Sequence, residues 1–126
     1  MRLLLDTAVF IYAVQAPELL SPRVEVALQN PQTALELSAV SLVEVAIKSA
    51  LGKLSLSAGV ARQAVNSLGI RILPYTSQHA FHLFGLPLHH CDPFDRQIIA
   101  QALFEKIPVA TPDGKFSLYA GLKVIW

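Results

Sequence analysis

The sequence predicts an α/β three-layer sandwich, with a mainly parallel central sheet of about five strands and helices on both faces. Three observations predict it. Short apolar runs such as Leu3-Leu4-Leu5, Ile70 to Leu73 and Val109-Ala110 are separated by helix-length segments, the order expected of strands joined by crossover helices. The leading run is continuously apolar, as strands covered on both faces are. Helix starts are marked by Ser21-Pro22 and Asp92-Pro93, each a side-chain acceptor followed by proline at the first helical position.

The elements follow in order. Leu3–Leu5 is a buried strand ending at Asp6, and Asp6-Thr7 caps a helix over Ala8 to Val14. Ser21-Pro22 starts a helix through about Gln29, stopped by Asn30-Pro31. Residues 34–39 alternate weakly and are expected to be a second strand. Ser41-Leu42-Val43-Glu44 is expected to open a helix running to Ala50 or Leu51 and halted by Gly52. That helix is apolar nearly all round, which predicts burial. Ser57 to Leu68 is a further helix closed by Gly69, and Ile70 to Leu73 a third strand. Thr76 or Ser77 caps a helix over about Gln78–Phe84. Pro93 to about Lys106 is a helix capped by Asp92, Val109-Ala110 a short strand, and Lys123 to Ile125 a final edge strand. No internal repeat, low-complexity tract or linker interrupts residues 1–126, so one domain is expected.

Composition bounds the function. The chain is 53% hydrophobic and 15% charged, against about 25% charged in an average domain, so part of the surface is expected to be covered by a partner or second copy. A net charge of +1 argues neither for nor against a polyanionic ligand. The single cysteine, Cys91, excludes an intrachain disulfide and fits a reducing, cytoplasmic setting. No apolar run reaches the ~18 residues that span a bilayer, so no membrane association is expected. Arg2 and the apolar stretch to Ala16 imitate a secretory signal in part, but Asp6 interrupts it and only one basic residue precedes it.

Ligands of such a sheet bind at the carboxyl ends of its strands. Asp6 ends the first strand and Asp113 follows the fourth. Glu44 and Asp95 are each expected in the first turn of a helix starting at the same edge. Asp95 also leads the stripe Asp95, Ile98, Ile99, Ala102, whose i, i+3, i+4, i+7 spacing is one helix face, so its charge points inward. Each acid has an ordinary alternative: Asp6 as a cap, Ser41-x-x-Glu44 as a capping box, Asp92-x-x-Asp95 as a looser one, Asp113-Gly114 as a turn. Taken together they call for a cation, because inward carboxylates without compensation are costly. Hard oxygen ligands suit Mg²⁺ or Mn²⁺, and that chemistry suits attack of water on a phosphodiester. Without metal, mutual repulsion predicts a raised pKa for at least one acid. Lys48, Lys53, Arg96 and Lys115 lie close in sequence to these acids and are the candidate phosphate contacts. His89-His90-Cys91 has metal-ligand residue types, but consecutive residues do not all face one ion. His79 and His82 are expected on a helix surface or a packed face. No Gly-rich phosphate loop or nucleophile elbow is present.

The chain resembles PIN-domain ribonucleases of the VapC-type toxin group of bacterial toxin–antitoxin pairs. The likeness rests on Leu3-Leu4-Leu5-Asp6-Thr7, Ser41 to Lys48 with Leu51-Gly52-Lys53-Leu54, and Leu86 to His90. It continues through Asp92-Pro93-Phe94-Asp95-Arg96 with Ile99-Ala100-Gln101-Ala102, then Thr111-Pro112-Asp113 with Phe116. It implies an acidic metal site at Asp6, Glu44, Asp95 and Asp113, with Asp95 in place of Asp92 because the family's acid stands three residues before the position Ile98 fills. It further implies Mg²⁺ or Mn²⁺, RNA as substrate, a homodimer and a cognate antitoxin. Thr7, Lys48, Arg96, Thr111 and Lys115 are the substrate-contact candidates. Relatives carry His, Trp and Arg where this chain has Ala8, Tyr12 and Cys91. Two alternatives stand beside this one. A non-catalytic PIN-like RNA- or protein-binding module would usually lack one of the four acids. A haloacid-dehalogenase-type phosphatase needs a second Asp where Ala8 stands.

Overall fold

The computed structural model describes residues 1–126. Five strands, β1 (Arg2–Leu5), β2 (Ala34–Ser38), β3 (Arg71–Leu73), β4 (Val109–Ala110) and β5 (Val124–Ile125), form one sheet in the order β3-β2-β1-β4-β5. Every pairing is parallel. Six α-helices connect them: α1 (Thr7–Gln15), α2 (Pro22–Gln29), α3 (Ala39–Ala50), α4 (Ala58–Ser67), α5 (Ser77–Phe84) and α6 (Pro93–Glu105). Two 3₁₀ turns, Pro17–Leu19 and Gly114–Leu118, complete the chain.

The pleat of β1 divides the core. Leu3 and Leu5 face one layer with Leu35, Leu37, Val9, Phe10, Val24 and Ala61, which belong to β2, α1, α2 and α4. Leu4 faces the opposite layer with Val109, Leu73, Ile98, Ile99 and Ala102, from β4, β3 and α6. The period-2 alternation of side chains makes both layers from a single apolar run. The expected three-layer architecture with helices on both faces is therefore what forms.

Since β2 lies on one side of β1 and β4 on the other, the strand order reverses at β1. The crevice beyond the carboxyl ends of β1 and β4 is the switch point at which such sheets bind ligands. Asp6 and Thr111 are the residues directly after those two strands.

Helix α3 departs from expectation in three respects. It begins at Ala39 with Ser38 as N-cap, accepting from Val40 N–H, so no loop separates it from β2. Ser41 is inside the helix, buried, and accepts a hydrogen bond from Thr7 Oγ1 at 2.9 Å; the capping box of Ser41 with Glu44 does not form. Glu44 consequently sits in the second turn, not the first. Nor is the helix buried all round: Val43, Ile47 and Leu51 are 51%, 43% and 64% exposed. The i, i+4, i+8 row they make is a stripe on the outer surface.

Other boundaries follow local chemistry. Asp92 caps α6 through Phe94 and Asp95 N–H, both 2.9 Å, with Pro93 at its first position. Thr76 and His79 form a reciprocal capping box on α5. Gly52 and Gly69 hold φ values of 73° and 65°, the left-handed conformation that ends α3 and α4 at low steric cost.

Candidate active site

Asp6 ends β1 and is 4% exposed. Its Oδ1 accepts from Val9 N–H at 2.8 Å, so it caps α1. The cap does not offset the loss of water. Burial pushes the Asp6 carboxyl up to about 7, against the pull of the Thr111 hydroxyl and the Val9 N–H, with the charges of Asp95 and Glu44 adding to the rise. Thr111 is buried beside it after β4, and its Oγ1 also accepts from Asp113 N–H at 3.0 Å.

Glu44 reaches the same region from α3 and is 5% exposed. One oxygen, Oε2, accepts from Lys48 Nζ at 2.5 Å. The other, Oε1, is the one buried side-chain polar atom in the protein without a hydrogen-bond partner. An unpartnered carboxylate oxygen in the interior is costly unless something cationic satisfies it.

Asp95 enters from the first turn of α6. Burial first, then the neighbouring Asp92, Glu44 and Asp113 charges, raise its carboxyl to about 6, while the hydrogen bond from His90 works in the opposite direction. Asp113, on the turn after β4, is half-buried and accepts from Lys115 N–H at 2.9 Å. Four segments thus bring four acids into mutual electrostatic influence at the switch point. They do not close further in the side-chain arrangement described: no three His, Cys, Asp or Glu residues come together as a metal-ligand group. The donor set nonetheless fits a hard divalent cation, because it is all carboxylate oxygen and includes the orphaned Glu44 Oε1.

The basic candidates divide. Lys48 lies against Glu44, and its ammonium is raised by that hydrogen bond and by the charges of Asp92 and Asp95. Lys115 is exposed beside Asp113. Arg96 is turned the other way: its guanidinium donates to Pro87 O at 2.7 Å, Leu86 O at 3.2 Å and Tyr119 Oη at 3.2 Å. Thr7, which donates to Ser41, is buried.

Sequence reasoning passed over two features. His90 bridges Tyr119 Oη at 2.6 Å and Asp95 Oδ2 at 3.4 Å, and Tyr119 had no role assigned. Glu36, which faces Leu4's side of the sheet, is buried yet charged. It accepts from Arg2 at 2.5 and 2.9 Å and from Arg71 at 3.1 Å. Burial alone would raise its carboxyl, but the two arginines outweigh burial and hold it below the ordinary value. Arg2 then links to Glu105, which contacts the buried His79.

The model of the PIN domain family matches residues 3–122. The chain belongs to the PIN domain family. Solved structures agree on the fold. VapBC2 from Rickettsia felis, solved bound to a DNA fragment from their promoter, aligns with a TM-score of 0.73 at 16% identity, covering 99% of this chain and 98% of that one. DNA-bound VapBC from Salmonella typhimurium gives 0.73 at 17%, covering 99% and 97%. VapBC-5 from Mycobacterium tuberculosis, a member of the VapBC family of toxin–antitoxin systems, gives 0.62 at 20%, covering 98% and 97%. No curated protein sequence matches the chain. This PIN domain has no helix long and apolar enough to cross a membrane.

Proposed function

We propose that this PIN domain is a divalent-metal-dependent endoribonuclease, the cytoplasmic toxin of a type II toxin–antitoxin pair. One observation carries the reading: Asp6, Glu44, Asp95 and Asp113 arrive from four separate segments at the switch point of a parallel sheet, where burial and mutual repulsion raise Asp6 and Asp95. Carboxylates in that condition lack positive charge. In this reading Asp6, Glu44, Asp95 and Asp113 hold Mg²⁺ or Mn²⁺, with Glu44 Oε1 as a ready ligand. The chemistry such an ion would supply, held by these carboxylates, is activation of water for attack on phosphorus and neutralisation of charge on the leaving oxygen. The chain's own residues do the rest: Asp6 and Asp95 are fixed by the starts of α1 and α6, and Lys48 and Lys115 offer positive charge to the RNA backbone. Thr111 holds Asp6 and the Asp113 backbone through its hydroxyl, and Thr7 ties α1 to α3 through Ser41.

The family likeness to VapBC complexes supports an antitoxin partner. Between α3 and α4 runs an apolar groove of about 270 Å³ lined by Leu42, Val45, Ala46, Leu56, Ala61 and Val65. Leu42 and Ala46 stand two residues either side of Glu44, so the groove lies on the α3 face turned away from the acids, and a partner's apolar segment seated there would grip the helix from behind the site.

The test is cleavage of RNA by the purified protein with Mg²⁺ or Mn²⁺, with and without EDTA, for the parent and Asp95→Asn. Loss of cleavage in both EDTA and the variant is expected, with at least a hundredfold drop for Asp95→Asn. Equal cleavage by parent and variant would sink the assignment. Metal-insensitive RNA binding without cleavage would favour the non-catalytic module.

A further inference from the structure

The loop before α6 and the turn after β4 meet in a chain of four side chains: Arg96, Tyr119, His90 and Asp95. Three of its members have little freedom. Tyr119 is 2% exposed, the His90 side chain is 8% exposed, and Arg96 is tied to the Leu86 and Pro87 carbonyls.

The donor and acceptor inventory of these groups gives the chain a direction. Arg96 has only N–H donors, so at its 3.2 Å contact with Tyr119 the phenol oxygen accepts. Tyr119 has a single proton, and its other neighbour is His90 Nδ1 at 2.6 Å. No other acceptor stands near the buried phenol, so the arrangement that leaves its proton partnered points it at Nδ1 and makes that the bare nitrogen of the ring. In the neutral imidazole the remaining proton is then on Nε2, facing Asp95 Oδ2 at 3.4 Å. Every hydrogen points one way, from Arg96 to the carboxylate.

We propose that His90 is a positioning residue, held by Arg96 and Tyr119 as the Nε2–H tautomer so that it donates to Asp95 Oδ2 and leaves Oδ1 free for a divalent cation. This rests on the reading of Asp95 as a metal ligand and deepens it. It assigns Arg96 to the support of the site in place of a phosphate contact. Outer partners that orient a ligand commonly change metal affinity or activity by about 10–100-fold when removed.

Two substitutions at one position separate the effect from folding. His90→Gln sets a side-chain N–H near the place of Nε2 and reaches Asp95. His90→Asn sets its amide near Nδ1 and does not. Mn²⁺ titration of the metal-free proteins is expected to show affinity within about threefold of the parent for His90→Gln, and 10-fold or more weaker for His90→Asn. Tyr119→Phe keeps the ring and removes the proton that selects the tautomer. Nitrogen NMR of the imidazole, at a pH where the ring is neutral, is expected to show Nε2–H alone in the parent and a mixture in Tyr119→Phe. The tautomer reports the hydrogen-bond chain itself, and the Gln/Asn split in Mn²⁺ affinity is the change that a merely structural histidine would not produce. An Nδ1–H tautomer in the parent, or parent-like Mn²⁺ affinity in His90→Asn, overturns the proposal. The expected tautomer and the Gln/Asn split support it even if the parent proves inert on RNA, a result that would remove only the nuclease reading.

Discussion

Asp6 has two tasks on one carboxylate: it caps α1 through Val9 N–H and it stands among acids at the switch point. The tasks have opposite demands. A cap works with either Asp or Asn, whereas a metal ligand needs charge. Because burial raises the folded-state carboxyl to about 7, from an ordinary value near 3.9, the metal-free folded state holds more protons than the unfolded chain between roughly pH 4 and 7. Stability therefore falls as pH rises through that window. Asp95, raised to about 6, adds to the same slope. Glu36 and Glu105 are lowered, so their contribution is lost only on acidification below the usual glutamate range. We predict that the metal-free protein melts at lower temperature at pH 8 than at pH 5. Asp6→Asn should flatten that slope and raise the pH 8 melting temperature by several degrees while abolishing cleavage. Mn²⁺ should stabilise the parent and leave the variant almost unchanged. Calorimetry at the two pH values checks all three outcomes.

At the scale of elements, the helix starts show what was legible. Asp92-Pro93, Ser21-Pro22 and Thr76 announced α6, α2 and α5, because a side-chain acceptor beside free N–H groups is a local property. Helix α3 was misread for a physical reason. Ser41 and Glu44 have the spacing of a capping box, but Ser38, the last residue of β2, is already the cap. A strand that turns directly into a helix leaves no loop composition to detect. Glu36 was illegible for another reason: its partners Arg2 and Arg71 lie 34 and 35 residues away, and only strand register brings them together. That cluster carries its own prediction. Glu36 is buried, while Arg2 and Arg71 retain contact with solvent. Removing a cation strands a buried charge, but removing the acid strands none. Arg2→Met should cost about 2–4 kcal/mol and Glu36→Leu less than about 1.5 kcal/mol, measured by urea unfolding. A larger loss for Glu36→Leu than for Arg2→Met would show the account to be wrong.

For the whole molecule, the charge-poor composition has a visible counterpart in uncovered apolar surface. Phe81 and Phe84 stack at 6.1 Å between ring centroids while 71% and 88% exposed. The groove between α3 and α4 is a second such region. If the first region is where a second copy docks, Phe84→Ser should shift the protein from dimer to monomer in analytical ultracentrifugation without loss of cleavage. Placing a charge in the groove by Ala46→Glu should weaken antitoxin binding 10-fold or more, again with cleavage retained; titration calorimetry reads this directly. Neither surface could be located from sequence, since exposure of an apolar side chain depends on which layer happens to lie above it.

The strand order has one further consequence, in time. β1 is made first and lies at the centre, yet its partner on one side, β4, is made more than a hundred residues later. Asp6 and Asp113 become neighbours of the same crevice only when that late strand has docked. During synthesis from the amino end, the emerging polypeptide carries Asp6, Glu44 and even Asp95 without a finished crevice to hold them. On the proposed function, a nuclease built on this order gains its active site only after β4 has docked beside β1.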